Sequence, residues 1–204
     1  MSENISSDEQ RVSYGIGRQM GDQLKSSGIP DLELNLVLAG LRDAFSGDPS
    51  QVDDQAMQAA FQGLQQKMHE VAEASARAAG QAGADFLEQN GQRAGVVTLA
   101  SGLQYEVVSE GTGATPSASS TVRTHYEGTL INGEVFDSSY KRGQPAEFPV
   151  GGVIAGWTEA LQLMKEGAKW RLYIPSELAY GGRAAGSIPP HSALIFDIEL
   201  LKVL

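Results

Sequence analysis

The sequence predicts an α+β protein whose helices and strands lie in separate parts of the chain. Up to about residue 90, apolar residues recur every three or four positions, which is the period of an amphipathic helix. After Gly95 the period changes to two, and β-branched and aromatic residues replace Ala and Gln. One short helical segment interrupts these strands. A sheet with a single helix to cover one face is an α+β arrangement, and 204 residues leave room for two domains.

Three helices are predicted in the first ninety residues. The first covers residues 13–26, and the second covers residues 31–46 with Asp31 as its N-cap. The third opens at Ser50 or Asp53 and continues unbroken for close to 40 residues, or about 60 Å at 1.5 Å per residue. A helix of this length is far too long for so small a helical domain.

The two halves of the third helix differ in composition. Residues 52–71 carry large apolar side chains in one stripe at heptad-like spacing, whereas residues 72–85 are almost entirely small, charged or amide residues. We therefore expect the first half to pack and the second half to stand in solvent. Three internal glycines, at positions 63, 80 and 83, each cost up to about 1 kcal/mol relative to Ala and should make the helix bendable.

The predicted helical domain is too small to bury much surface by itself. Two short helices and one packed stripe form a small core. A domain of fewer than about 60 residues buries a smaller fraction of its surface and is only marginally stable by itself. A second copy of the chain, in a symmetric dimer, is the simplest closure. Two alternatives stay open: the first two helices fold back on the third in a monomer, or they dock on the second domain. The predicted domains are residues 1–70 for dimerisation, 71–94 as an arm continuing the third helix, and 95–204.

Composition excludes several classes of function. The net charge is −10, and residues 1–95 hold 14 acidic against 7 basic residues, so the chain should repel nucleic acid. The absence of cysteine excludes disulfides and thiol chemistry. No apolar run reaches the length of about 18 residues that spans a membrane, and the N-terminus is polar and acidic, so we expect a cytoplasmic protein. His69, His125 and His191 lie far apart, and neither metal nor cofactor is expected.

Five strands and one short helix are predicted in the second domain. The strands lie at residues 103–108, 121–130, 135–137, 169–174 and 193–202, and the helix lies at residues 157–164. Between the second and third strands, Asn132 and Gly133 form a strong hairpin signal.

Three segments in this second domain carry the chemistry. They read VFDSS at 135–139, VIAGW at 153–157 and AYG at 179–181. Together they place aromatic and aliphatic residues around one carboxylate, Asp137, without a nucleophile or a phosphate loop, which is typical of a binding pocket. In this order and spacing they resemble the FKBP-type peptidyl-prolyl cis-trans isomerases over roughly residues 95–204. The helical layout, with the sequence YGIG at 14–17, resembles the macrophage infectivity potentiator branch of that family.

The resemblance implies a fold, an activity and site residues. The fold is an antiparallel sheet curled around one short helix, and the activity is cis-trans isomerisation of the Xaa-Pro bond. Residues implied to line the pocket are Tyr126, Phe136, Phe148, Val153, Ile154, Trp157 and Phe196. Asp137 is implied to be a buried carboxylate held by Tyr126 and Arg142. Tyr180 and the Ile154 N–H would bind carbonyl oxygens.

The resemblance also implies a flap over the pocket and a class of inhibitors. Ile188 would lie on a flap over the pocket, and macrolides such as tacrolimus or rapamycin would inhibit. Ala146 replaces an aromatic residue found in well-known eukaryotic members, and the loop at 182–187 is one residue shorter, so macrolide affinity should be reduced.

Plainer interpretations stand beside these roles. Without the resemblance, Trp157 and the phenylalanines would be ordinary core, Asp137 a turn cap and Arg142 a surface charge. A second function also stays open: the pocket captures prolyl or hydrophobic segments of unfolded chains, as a chaperone with little isomerase activity.

Overall fold

The chain is described by a computed structural model that covers residues 5–204. Residues 1–4, which begin the predicted helical domain, lie outside the described residues. The contacts within the chain divide it into two compact units, one ending at Gln62 and the other beginning at Gly63. This division falls inside the third helix.

Two helices and the start of a third form the first unit. Helix α1 covers Asp8–Ser26 and helix α2 covers Leu34–Ser46. The first begins five residues earlier than predicted because Ser7 and Gln10 form a capping box, in which each side chain accepts the other's backbone N–H. The prediction of Asp31 as the N-cap of α2 is wrong: Asp31 has a φ of 53°, and the helix begins only after Glu33.

Neither α1 nor α2 has a buried residue. Large apolar side chains on both stay in contact with solvent, and Phe45 is 94% exposed. The others that are at least half exposed are Val12, Tyr14, Ile16, Leu34 and Leu36. The described part of this unit therefore encloses no core of its own.

Helix α3 covers Asp54–Gly91, 38 residues, and confirms the prediction of one unbroken helix. Asp53 caps it, because its carboxylate accepts the Ala56 N–H at 2.7 Å. The expectation that residues 72–85 stand in solvent is wrong for one helix face. Gly83 is buried, and it lies against Ala193. Small residues let two backbones approach closely, so the lack of large apolar side chains here does not mean exposure.

Buried amides anchor the C-terminal end of α3. Asn90 is 3% exposed and Gln104 is 5% exposed. The Asn90 amide donates to Gln104 Oε1 at 2.8 Å, and the Gln104 amide donates to the Leu87 carbonyl at 2.8 Å. One turn earlier, the Phe86 ring packs 5.9 Å from the Tyr173 ring. This end of the helix is thus an integral part of the second unit.

The second unit is built on a seven-stranded sheet in which every strand pair is antiparallel. The order is β1-β2-β6-β7-β3-β4, with β5 pairing to β3. The strands are β1 Val97–Thr98, β2 Gln104–Ser109, β3 Thr121–Leu130, β4 Val135–Ser138, β5 Ala146–Pro149, β6 Lys169–Ile174 and β7 Leu194–Val203. The predicted hairpin at Asn132–Gly133 joins β3 to β4. Strand β1 is missing from the prediction because two residues are too few to show a period. Strand β5 is missing because it follows Pro145 and ends at Pro149, and prolines argue against a strand.

Helix α4, Ala155–Leu161, covers one face of this sheet. Its buried residues Ala160 and Leu161 belong to one apolar cluster with sheet residues such as Leu172 and Ile198, all of them fully buried. Two short 3-10 helices, Val150–Gly152 and Ser176–Leu178, flank α4 and β6. The predicted α+β class is confirmed. In the part of the chain that the structure describes, no helix is both long and apolar enough to cross a membrane.

Candidate active site

A cavity of about 660 Å³ opens between the sheet, the start of α4 and the segment of residues 179–193, which we call the pocket loop. The cavity brings together ten of the eleven predicted site residues: Tyr126, Phe136, Asp137, Phe148, Val153, Ile154, Trp157, Tyr180, Ile188 and Phe196. The eleventh, Arg142, does not line the cavity but is bonded to Asp137.

Trp157 forms the base of this cavity. It lies in the first turn of α4 and is 4% exposed. Three rings meet it edge to face: Tyr126 at 5.2 Å, Phe196 at 5.2 Å and Phe148 at 5.7 Å between ring centroids. Edge-to-face contacts are a favoured aromatic geometry, so the indole is held from three directions. Its Nε1 has no hydrogen-bond partner among the described residues.

A glycine in β3 lets two phenylalanines meet at the cavity wall. Gly128 pairs across the sheet with Asp137 on β4 and Phe196 on β7. A Cβ at Gly128 would lie 2.6 Å from ring atoms of both Phe136 and Phe196, whose centroids are 5.5 Å apart. Gly128 is not among the site residues predicted from the sequence. A glycine inside a strand pattern is a recognised sign of close approach and could have identified it.

The polar corner of the cavity consists of three side chains. The Tyr126 hydroxyl donates to Asp137 Oδ2 at 2.5 Å, and Arg142 Nη1 bonds to Asp137 Oδ1. Arg142 Nη2 donates to the Tyr126 oxygen at 2.7 Å, which closes the triangle. The expected pairing is therefore present. The description of Asp137 as buried is wrong, however, because its side chain is 41% exposed at the cavity mouth.

Asp137 is held in its ionised form. Partial burial acts to raise the pKa of Asp137, but the hydrogen bonds from Tyr126 and Arg142 and the guanidinium charge outweigh it, and the pKa lies below the usual range. Burial, followed by the bond to the carboxylate, raises the pKa of Tyr126, so this hydroxyl stays protonated and keeps donating. The corner therefore carries a fixed negative charge that is balanced by Arg142.

Two further groups offer hydrogen bonds to a ligand. Tyr180, on the pocket loop, is 40% exposed where it lines the cavity. Ile154 is the N-cap of α4, and its carbonyl accepts the Trp157 N–H at 3.0 Å. The N–H groups at the start of a helix have no acceptor within the helix. The Ile154 N–H is thus a donor at the cavity wall.

Four small residues that line the cavity escaped the sequence analysis as site residues: Gly152, Ala185, Gly186 and Ser187. The last three belong to the segment that was noted only for its length, and small side chains give no pattern to detect. Ala146 does not line the cavity and packs against the core from β5. Among residues 5–204, no group of three or more His, Cys, Asp or Glu side chains is placed to hold a metal ion.

Comparisons with known proteins place this chain in a family of enzymes. A family model described as FKBP-type peptidyl-prolyl cis-trans isomerase matches residues 113–201. A second, described as the domain amino terminal to FKBP-type peptidyl-prolyl isomerase, matches residues 9–107. The FKBP-type 22 kDa peptidyl-prolyl cis-trans isomerase of Escherichia coli K12 is 47% identical over 197 residues, which cover 96% of each chain. The chain belongs to the FKBP-type peptidyl-prolyl cis-trans isomerase family and is an enzyme of that activity.

Further relatives confirm the predicted branch. A Legionella longbeachae protein named "Outer membrane protein MIP" is 41% identical over 98% of this chain and 88% of its own length. The crystal structure of FkpA from Escherichia coli superposes with a TM-score of 0.71 at 37% identity and covers 98% of both chains. A peptidyl-prolyl cis-trans isomerase from Pseudomonas syringae gives a TM-score of 0.58 at 44% identity, covering 62% of this chain and 94% of its own. The alternative of a chaperone with little isomerase activity is not favoured.

Proposed function

We propose that this isomerase works without covalent chemistry, by binding the twisted Xaa-Pro amide over Trp157. The observation that carries the proposal is the placement of this indole, which three aromatic edges hold at the base of a largely apolar cavity with one ionised corner. The proline ring stacks on the indole. Phe148, Val153, Ile188 and Phe196 enclose it, and Phe136 closes the wall beside the reacting bond.

The energy that the site must supply is modest. Rotation about a peptide bond has a barrier of about 18–20 kcal/mol, and an unaided Xaa-Pro bond turns over in roughly tens of seconds or longer. A turnover of about 1 to 1000 per second needs only about 3 to 7 kcal/mol of transition-state stabilisation. The planar amide owes its stability to resonance that places negative charge on oxygen, where water supports it. A cavity that excludes water weakens that resonance and favours the twisted form.

The polar groups of the cavity orient the bound substrate. In this proposal the Tyr180 hydroxyl and the Ile154 N–H donate to carbonyl oxygens of the bound chain and fix its orientation. Asp137, held by Tyr126 and Arg142, presents a negative charge beside the twisting amide. The catalytic residues are then Asp137, Tyr180, Tyr126 and Phe136, and Arg142 acts with the residues that bind the substrate.

The two tryptophans offer a matched test of the proposed site. Trp157 and Trp170 are both nearly buried, both lack a partner for Nε1, and only Trp157 lines the cavity. We expect Trp157→Leu to lower the isomerase kcat/KM about tenfold, which corresponds to about 1.4 kcal/mol of lost stabilisation. Trp170→Leu should leave kcat/KM per folded molecule within about twofold.

The measurement is cis-trans exchange of a short Xaa-Pro peptide by NMR, with the folded fraction of each variant determined by circular dichroism. Equal activity of the two variants per folded molecule would show that the indole of Trp157 does not form the substrate site.

The wider organisation of the chain is part of the proposal. We propose the division into a dimerisation domain at 1–70, an arm at 71–94 and an isomerase domain at 95–204. The exposed apolar residues of α1 and α2 support a homodimer through the N-terminal helices, and two tethered cavities would capture unfolded chains with added avidity. Tacrolimus and rapamycin are proposed inhibitors. Nucleic acid and membrane are not proposed partners.

The cellular location stays a prediction. The sequence predicts a cytoplasmic protein, whereas the Legionella longbeachae relative is named an outer membrane protein. Fractionation of the producing cell, followed by detection with an antibody, would decide between the two.

A further inference from the structure

The C-terminal half of α3 lies directly on the last residues of the pocket loop, 191–193. A Cβ at Gly80 would lie 3.3 Å from the His191 Cβ. A Cβ at Gly83 would lie 3.1 Å from the Ala193 Cβ and 3.3 Å from its backbone nitrogen. At Gly63, on the same helix, a Cβ would meet nothing within 4 Å. Glycine at positions 80 and 83 is therefore what allows the helix backbone to rest against residues 191–193.

His191 connects this contact to the tyrosine of the cavity. Its φ is 61°, a conformation that residues other than glycine adopt rarely, so the surrounding contacts must hold it. Its N–H donates to the Gly181 carbonyl at 2.8 Å, directly after Tyr180. Its imidazole lies within 3.3 Å of the point where a Cβ on Gly182 would be. His191 thus spans the space between α3 and the start of the pocket loop.

The pocket loop is internally bonded and carries a large part of the cavity lining. Ala185 and Ile188 exchange two backbone hydrogen bonds of 3.0 Å each. The Gly181 N–H donates to the Ser176 carbonyl at 2.8 Å. Tyr180 and Ile188 both line the cavity. His191 bonds to Gly181, next to Tyr180, and the Ser192 hydroxyl donates to the Pro189 carbonyl, next to Ile188. A displacement at residues 191–193 would therefore reach both side chains.

The helix that supports the loop is itself fixed from another direction. Asn90 and Gln104 bond to each other in a buried pair, and the Phe86 ring packs on Tyr173. Neither contact involves the pocket loop. Helix α3 is therefore attached to the sheet independently of the pocket loop.

We propose that Gly80 and Gly83 are positioning residues of the isomerase, which hold Tyr180 and Ile188 over the cavity by seating the end of the pocket loop on α3. This inference rests on the proposed cavity as the site of catalysis. It assigns a role in catalysis to residues of helix α3. This helix lies within residues 9–107, the range matched by the family model for the amino-terminal domain.

A displaced loop has a kinetic signature that general destabilisation lacks. If the loop is seated in only a fraction of molecules, the apparent affinity for substrate falls by that fraction, so KM rises while saturating substrate restores kcat. A loss of folded protein instead lowers the apparent kcat and leaves KM unchanged. A rise in KM therefore indicates a displaced loop, whereas a fall in the apparent kcat indicates a loss of folded protein.

The first test is Gly83→Val in the full chain, with Ala82→Val on the exposed side of the same helix turn as its control. We expect Gly83→Val to raise KM for a short Xaa-Pro peptide about fivefold, with kcat within about twofold, and Ala82→Val to leave both unchanged. Methyl NMR of labelled isoleucine should show a shifted or broadened Ile188 signal and an unmoved Ile154 signal. An unchanged KM in folded Gly83→Val would overturn the proposal, and so would an equal effect of Ala82→Val.

A compensating pair keeps the inference testable if Gly83→Val fails to fold. Gly80→Ala places a Cβ against the His191 Cβ, and His191→Gly removes that Cβ while accepting the positive φ. We expect Gly80→Ala to raise KM about threefold, and the double variant to return KM to the value of His191→Gly alone. Additive effects on KM in the double variant would contradict the proposed contact.

The same assay separates this inference from the cavity assignment. If Trp157→Leu shows the expected loss of about tenfold in kcat/KM and Gly83→Val is normal, only the positioning role of α3 fails. If Trp157→Leu is as active as the wild type per folded molecule, the cavity assignment fails, and the positioning role fails with it.

Discussion

The charge of Asp137 is the feature of the site that pH can probe. Its pKa is lowered in the folded protein by the bonds from Tyr126 and Arg142, which outweigh partial burial. A group with a lowered folded pKa stabilises the protein above its ordinary pKa, near 3.9 for Asp, and this stabilisation is lost as pH falls through the folded value. Because the side chain is 41% exposed, the contribution is at most about 1 kcal/mol.

We therefore predict a pH-dependent difference between the wild type and Asp137→Asn. At pH 7 the variant should unfold at lower urea concentration, by at most about 1 kcal/mol in the free energy of unfolding. Below the lowered pKa of Asp137 in the folded protein, the two proteins should converge. Urea denaturation at both pH values measures this, and a constant difference between them would contradict the assigned cause.

The same substitution also tests the proposed role of the charge in catalysis. Asn keeps the shape of the side chain and removes the charge, so kcat/KM at pH 7 should fall about tenfold if the carboxylate acts on the twisting amide. Glu147→Gln is a suitable control, because it removes a carboxylate that pairs with Arg123 outside the cavity. Equal losses in both variants would show that Asp137 has no specific role.

At the scale of secondary structure, the C-terminal end of α3 is held by the buried pair of Asn90 and Gln104. Replacing Gln104 by Leu would leave the Leu87 carbonyl and the Asn90 amide without their partner. A buried polar group left unpaired costs about 1–3 kcal/mol. The neighbouring Gln89 is exposed, so Gln89→Ala should change the free energy of unfolding by at most about 0.5 kcal/mol.

Urea denaturation of the full chain, followed through the near-ultraviolet signal of Trp157 and Trp170, reports on this unit. A Gln104→Leu variant as stable as the wild type would mean that the Asn90–Gln104 pair adds nothing to the free energy of unfolding.

The predictable parts of the structure are those that leave a pattern in the chain. Strands β3 and β6 follow an alternating pattern, and their predicted bounds agree with the structure to the residue. The pairing of Asp137 with Tyr126 and Arg142 is implied only by the resemblance to the FKBP-type isomerases, because no pattern in the chain links these three residues. Strand β1 is too short to show a period, and β5 is bounded by prolines that argue against a strand. Gly80, Gly83 and Gly128 act through the side chain that they lack, so hydrophobic patterning cannot find them. Asp31 has the residue type of an N-cap but a left-handed backbone.

For the whole molecule, the exposed apolar residues of α1 and α2 predict association. A side chain such as Phe45, 94% exposed, is costly to leave in water, and an isologous contact would bury it in two copies at once. We expect the wild type to have the mass of a dimer by light scattering. Leu36→Asp should shift it to the monomer at micromolar concentration while isomerisation of a short peptide stays within about twofold, because a small substrate occupies one cavity.

The control for this substitution is Val108→Asp. Val108 is 58% exposed on β2 and lies in the other unit. The dimer should persist in that variant. A wild-type chain that is monomeric, or a dimer that survives Leu36→Asp and Phe45→Asp together, would contradict the proposed dimer surface.

Three contacts of α3 with the rest of the second unit, at the glycine face, at Phe86 and at Asn90, also limit how the chain length can vary. Each residue of an α-helix turns the chain by about 100°. If the Asn90–Gln104 pair stayed in place, one residue inserted between Gly83 and Asn90 would therefore rotate the glycine face away from His191. An insertion before Gly80 alters none of these contacts. The helix can therefore lengthen or shorten on its N-terminal side, whereas between Gly80 and Asn90 its register is fixed.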